Sequence, residues 1–185
     1  MTLIGRLSPI FTVIVAVWFI HAVNVTTGGV LYAFGIEPRT LRGLDGVLGA
    51  PWLHGDWQHL LSNTAGLAVL GGLICLHSRS TFWRVTLFVT VLAGIATWAL
   101  ARPGLHIGAS LLVFGYFGYL IVRGWVERTP MAIVTALMVA SLYGGMLYGV
   151  LPTRPGVSFE GHLFGAVAGF LAARWRLHLP VNRAT

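Results

Sequence analysis

Apolar residues along this chain gather in six runs, at about residues 8–30, 57–76, 82–101, 108–124, 130–151 and 161–177, with short polar stretches between them. Each is near the roughly 20 residues an α-helix needs to cross a bilayer, the fourth and sixth being at the short end. Short runs suit helices that begin inside the protein, because irregular backbone at membrane depth is tolerated only where protein or a cavity surrounds it. The pattern predicts one all-α membrane domain over residues 1–185, a six-transmembrane-helix bundle. Residues 31–55, between runs one and two, hold Pro38, Pro51, several glycines and an amphipathic stretch from Arg39 to Leu48, which predicts an interfacial element. The fifth run carries Gly144, Gly145 and Gly149 and leads into Leu151-Pro152-Thr153-Arg154-Pro155-Gly156. It reads either as a mobile gate with a capping loop or as a glycine packing face followed by a turn.

The polar positions that interrupt this pattern fall at one depth. Runs two, four and six travel in the same direction, so their N-terminal ends meet one membrane face. Run two opens HGDWQHLLSN, with His59 and Asn63 four apart and on one helical face. Run four opens HIGAS, placing Ser110 in a first helical turn, where backbone N–H groups lack intrahelical partners. Run six opens EGHLFG, with His162. Alone, each has a plain reading as a cap or an interfacial residue. Together they are costly to bury in a membrane and mark a functional site.

Composition narrows the class. With 56% hydrophobic and 9% charged residues, the chain is an integral membrane protein. The net charge of +7 rests on twelve arginines with no lysine, scattered in ones and twos, so no basic patch for nucleic acid forms. Arg6, Arg79, Arg84, Arg123, Arg128, Arg174, Arg176 and Arg183 fall on one side of the six runs, and Arg39, Arg42, Arg102 and Arg154 on the other. The excess predicts both termini in the cytoplasm. The single cysteine, Cys75, excludes an intrachain disulfide. No HExxH occurs, His54 and His59 are five apart and off a common helical face, and the spans lack carboxylate ligands, so no metal or other cofactor is expected.

A serine with a histidine in reach is the minimal activated nucleophile. Glu160, two positions before His162, points to a different helical face, which favours a Ser110–His162 dyad over a triad. His59 and Asn63 offer donors for an oxyanion, with the Ser110 N–H as a backbone donor. Gly161, Gly165 and Gly169 form a small-residue stripe on run six, and run four offers Gly108, Gly115 and Gly118, so the two backbones can approach closely. The stripe by itself is equally a helix-association device.

Taken in order, the loop GIEPRTLRGLDGVLGAPWLHG, the HxxxN of run two, the GAS of run four and the GHLFGAVAG of run six resemble the bacterial six-helix form of the rhomboid family of intramembrane serine proteases. The resemblance implies Ser110 as nucleophile, His162 as general base, and an oxyanion site of Asn63, His59 and backbone N–H groups near Ser110. Phe114 stands where the family often has an aromatic against the catalytic histidine; His54, Gly108, Ala109 and Gly165 are implied as supporting residues. It further implies cofactor-free cleavage of the transmembrane segments of other membrane proteins, near the outer face of a bacterial plasma membrane. One position departs from the family's usual G-x-S-G, since Leu111 follows Ser110. That leaves a second expectation open: a relative that binds transmembrane helices without cutting them.

Overall fold

The computed structural model describes residues 2–153 and 156–177. Six long helices account for most of them: α1 (Leu3–Thr26), α2 (Trp57–His77), α3 (Arg79–Leu100), α4 (Ser110–Glu127), α5 (Pro130–Val150) and α6 (Phe159–Arg174). Four of these, α1, α2, α3 and α5, are long and apolar enough to cross a membrane. The chain is an all-α, multi-pass membrane protein. The two shorter helices, α4 and α6, carry Ser110 and His162.

Start signals are local. Thr2, Asp56, Ser78, Thr129 and Ser158 each accept a backbone N–H of the following first turn, capping α1, α2, α3, α5 and α6. Only α4 begins without a side-chain cap, at Ala109. Its opening N–H groups are therefore not occupied by a capping side chain.

The bundle is organised around α4, in which every residue from Leu111 to Leu120 is buried. A helix apolar on all sides is stable only when surrounded. α6 packs most extensively against it, with α5, α3 and the middle of α2 completing the ring. The α4–α6 approach is set by missing side chains. A methyl group on Gly165 would lie 3.1 Å from the Leu111 carbonyl carbon, and one on Gly169 or Gly118 would collide with the carbonyl of Gly115 or Ala166. The glycines expected to face α6 do not all do so: Gly115 turns its bare Cα to Val89 of α3, and Gly108 turns to His59.

Helix α2 widens into a π-helical stretch over Leu67–Gly71, just past Asn63. α5 lies at the edge of the bundle, with few of its residues buried. Its α-helix ends at Tyr143 and continues as a 3-10 helix over Gly144–Val150. Of the loop that follows, Arg154 and Pro155 lie outside the described residues, as does Arg183. α4 extends past the apolar run to Glu127, whose carboxylate binds buried Arg123 at 2.7 and 2.9 Å. This acid lies beyond the apolar run and is neutralised in place.

The α1–α2 connection contains 3-10 turns at Val30–Phe34, Arg42–Leu44 and Ala50–Trp52 and a short helix at Gly46–Gly49. Leu41, Leu44 and Leu48 point outward from it, as an interfacial element requires. Its inner edge supports the segment leading to Ser110. Ile36 and His106 exchange backbone hydrogen bonds of 3.0 and 2.9 Å, and Gly108 N–H donates to Ala50 O at 2.9 Å.

Candidate active site

Ser110, His59 and His162 lie in the first turns of α4, α2 and α6, with Asn63 one turn further along α2. Gly108 joins the first two. Its φ of +122° is open to glycine and strained for other residues, and a methyl group there would lie 2.7 Å from His59 Nε2 and 3.5 Å from Ser110 Oγ. The Ser110 hydroxyl and the His59 ring therefore border one small space that glycine keeps empty.

His162 is held from two sides. Its ring stacks on Phe114, four residues after Ser110, with centroids 4.1 Å apart and planes 8° from parallel. Its Nδ1 lies 2.8 Å from the Gly149 carbonyl. A carbonyl only accepts, so Nδ1 carries the proton and Nε2 keeps the lone pair of the neutral ring. His59 is set the opposite way. Its Nδ1 accepts a long 3.5 Å hydrogen bond from Gly55 N–H, which leaves Nε2–H as a donor. The histidines of the α2 and α6 first turns thus present one donor and one acceptor.

Ser110 and His162 occupy facing turns, bracketed by the Leu111–Gly165 backbone contact and the Phe114–His162 stack. Among the described residues the Ser110 hydroxyl has no hydrogen-bond partner. Asn63 is buried, and its Nδ2 has no partner among the described residues either. It is a donor held in an apolar place without an acceptor.

His54 lies in the loop before α2 and is fully buried. Being off the helix, it does face His59, at 5.1 Å between ring centres, despite their five-residue separation. Its Nε2 accepts Ala109 N–H at 3.4 Å, so that backbone donor is occupied, while the Ser110 N–H has no partner among the described residues. Burial, and after it the neighbouring His59 and His21, pull the His54 pKa down to about 3. The ring is neutral at working pH, as an acceptor must be. Glu160 receives Arg102 N–H at 3.2 Å and makes no hydrogen bond to His162 among the described residues. No group of three His, Cys, Asp or Glu among the described residues is arranged to hold a metal.

Several contributors carry no sequence signal. Gly149 acts through its carbonyl and Gly55 through its N–H, which any residue possesses. His21, 4.5 Å from the Trp57 ring, is buried with both nitrogens unpartnered among the described residues. Leu111 is also informative. Its side chain is buried and lines a cavity of about 10 Å³ together with Ile36, Ala50 and Thr97, while its backbone meets Gly165. The close approach depends on glycine in α6 rather than at position 111.

The sequence matches the Rhomboid domain over residues 42–178. It is similar to an uncharacterized protein of Mycobacterium tuberculosis, 39% identical over 186 residues, which cover 96% of this chain and 77% of that protein. An uncharacterized protein of Mycobacterium leprae is 39% identical over 173 residues, covering 89% and 68% of the two chains. A protein of Yarrowia lipolytica named rhomboid-type serine protease 2 is 25% identical over 133 residues, covering 66% of this chain and 44% of its own length.

Proposed function

The chain belongs to the rhomboid family, and from that premise we propose that it is a serine endopeptidase that cuts transmembrane segments of other membrane proteins within the bilayer. The observation that carries the reading is the state of His162. Stacked on Phe114 and donating Nδ1–H to Gly149, it keeps Nε2 as its only proton acceptor on the turn facing Ser110.

In this reading His162 Nε2 takes the Ser110 hydroxyl proton as Oγ attacks the scissile carbonyl. Negative charge develops on the carbonyl oxygen beside His59 Nε2–H, Asn63 Nδ2–H and the Ser110 N–H. These donors are fixed before the reaction, so little reorganisation is needed when the charge appears. His162 then returns the proton to the leaving amine, leaving an acyl-enzyme. Water enters and gives a proton to the same nitrogen as its oxygen bonds the acyl carbon; the C–Oγ bond then breaks, the proton returns to Ser110 Oγ and the second product leaves as a carboxylic acid. No carboxylate is required, which is consistent with Glu160 being engaged by Arg102.

The non-cleaving alternative rests on Leu111. It is weakened because Leu111 has a buried place of its own and the helix contact is relieved at Gly165. We place both termini in the cytoplasm and the site toward the extracytoplasmic face of a bacterial plasma membrane, from the arginine distribution. Phe114, His54, Ala109, Gly108 and Gly165 hold the reacting groups, and no cofactor takes part.

The test is cleavage of a model transmembrane substrate in detergent, with fluorophosphonate labelling of the serine. Ser110→Ala and His162→Ala should each lower cleavage by at least about a thousandfold and abolish labelling. His59→Ala should lower kcat by about a hundredfold. Equal cutting by wild type and Ser110→Ala, or none by either, overturns the assignment.

A further inference from the structure

Two serine–histidine couples stand at the outer ends of α4 and α6, and the hydrogen-bonded one is not Ser110 with His162. His106 Nδ1 and Ser158 Oγ lie 2.6 Å apart. Their neighbours assign the roles. His106 Nε2 is 3.0 Å from the Arg102 carbonyl, which only accepts, so Nε2 carries the ring proton and Nδ1 accepts from the Ser158 hydroxyl. The Ser158 oxygen in turn receives Gly161 N–H at 3.2 Å, as the cap of α6. All polar atoms of the pair are engaged and His106 is 6% exposed, so the bond is shielded from competing water.

Its placement gives it a task. The segment before α4 passes through Gly104 and Gly108 at φ +142° and +122°, and the one before α6 through Gly156 at φ +79°. Both helix starts are therefore reached through backbone conformations that favour glycine. The α4–α6 contact at Gly165 and Gly169 sets how closely the helices approach, but it begins a turn past the start of α6 and leaves the residues before His162 to be held by other contacts. Something nearer the first turn must fix the register of α6. Ser158 is suited to do so, because its carbonyl accepts His162 N–H at 3.2 Å. On the other side, His106 is paired through its backbone to Ile36 of the α1–α2 connection. Arg102 adds a second fastening, with Nε 3.5 Å from Glu160 and its guanidinium 4.9 Å from the Phe159 ring centre. The small cavity beside Leu111 is lined by His106, Ser158, Gly161 and Ser110, so the pair shares a wall with the nucleophile.

We propose that the His106–Ser158 hydrogen bond is a positioning device that locks the first turn of α6 against the segment leading into α4, and so sets where His162 stands relative to Ser110. The inference rests on the protease reading above. Neither residue touches the reacting atoms. Both act through His162.

The experiment is steady-state cleavage of the model transmembrane substrate by wild type, Ser110→Ala, His106→Leu, His106→Asn, Ser158→Gly and the His106→Leu/Ser158→Gly double variant. Asparagine places an oxygen acceptor near the position of Nδ1, and glycine caps a helix nearly as well as serine while lacking the hydroxyl. His106→Leu should lose about tenfold or more in kcat with KM within about twofold of wild type, and His106→Asn should recover to within about threefold. The double variant should be no slower than the slower single one, as two ends of one interaction require. An unchanged kcat in His106→Leu, a loss that asparagine does not restore, or losses that multiply in the double variant overturn the inference. If His106→Leu does not fold, Ser158→Gly decides: reduced kcat at constant KM supports the device, and unchanged kcat overturns it. Cleavage that survives in Ser110→Ala, or is absent from wild type, removes the protease reading and this inference with it. Cleavage lost in Ser110→Ala but intact in His106→Leu removes the inference alone.

Discussion

Leu111 shows how one position changes meaning between a motif and a packed helix. After a serine where glycine is usual, it reads as an obstruction. In the bundle its backbone meets the bare Cα of Gly165 while its side chain is buried beside Thr97 and Ala50. Leu111→Gly should therefore fail to raise kcat and should cost about 3 kcal/mol of stability through the cavity and the added backbone freedom. Reversible unfolding in mixed micelles, set beside kcat, checks both; a rise of tenfold or more in kcat would restore leucine as the obstacle. His54 supports a pH prediction. Its native pKa of about 3 lies below the ordinary 6.5, so between those values the unfolded chain binds a proton that the native chain does not. The stability His54 contributes is complete above about pH 6.5 and is lost as pH falls from there toward 3. His54→Gln retains an acceptor for Ala109 N–H without titrating. The fall in thermal midpoint between pH 7 and pH 4 should accordingly be smaller in that variant than in wild type.

Among the elements, α5 couples an exposed position at the edge of the bundle to the His162 ring. Gly144 and Gly145 have open space where side chains would be, whereas a methyl group on Gly149 would lie 2.7 Å from Phe114 and 3.3 Å from His162 Nδ1. Gly149→Ala should lower kcat by about tenfold, the effect of a barrier rise near 1.4 kcal/mol, while Gly144→Ala leaves kcat within about twofold. Comparing the two separates a general stiffening of α5 from loss of the hold on His162. Both glycines belong to one apolar run with nothing in its pattern to tell them apart. The difference arises because Gly149 sits on a 3-10 turn whose carbonyl is aimed at another helix.

At the scale of the whole molecule, the arginines sort to the two ends of the bundle. Arg6 reaches the Leu76 carbonyl at 3.4 Å and Arg123 meets His77 at 2.8 Å, which gathers the start of α1 and the ends of α2 and α4 at one end. Arg102 and Arg39 lie at the other, where Arg39 donates to Ala101 O at 2.7 Å. Glu127 neutralises Arg123, yet Arg79, Arg84, Arg128, Arg174 and Arg176 still give the first end its excess. A C-terminal fluorescent-protein fusion should glow and an alkaline-phosphatase fusion should be inactive, as a cytoplasmic terminus requires; the reverse pattern would invert the proposed topology.

The six apolar runs determine an all-α membrane bundle, because hydrocarbon tolerates no unpaired backbone and a helix alone satisfies its own. The polar interruptions determine that Ser110, His59, Asn63 and His162 sit at helix starts of one orientation, because helical period and span direction are properties of the chain itself. Which nitrogen of each histidine carries a proton is different in kind. For His162 it depends on Gly149 O, a backbone atom brought up from α5 with no mark in residue type; for His59 it depends on Gly55 N, a local contact four residues back that residue type does not mark either. The same holds for His106 and Ser158, 52 positions apart along the chain and 2.6 Å apart in space. Only tertiary structure decides such pairs, because the helix packing that creates them is set by glycine contacts between α4 and α6 rather than by any local preference.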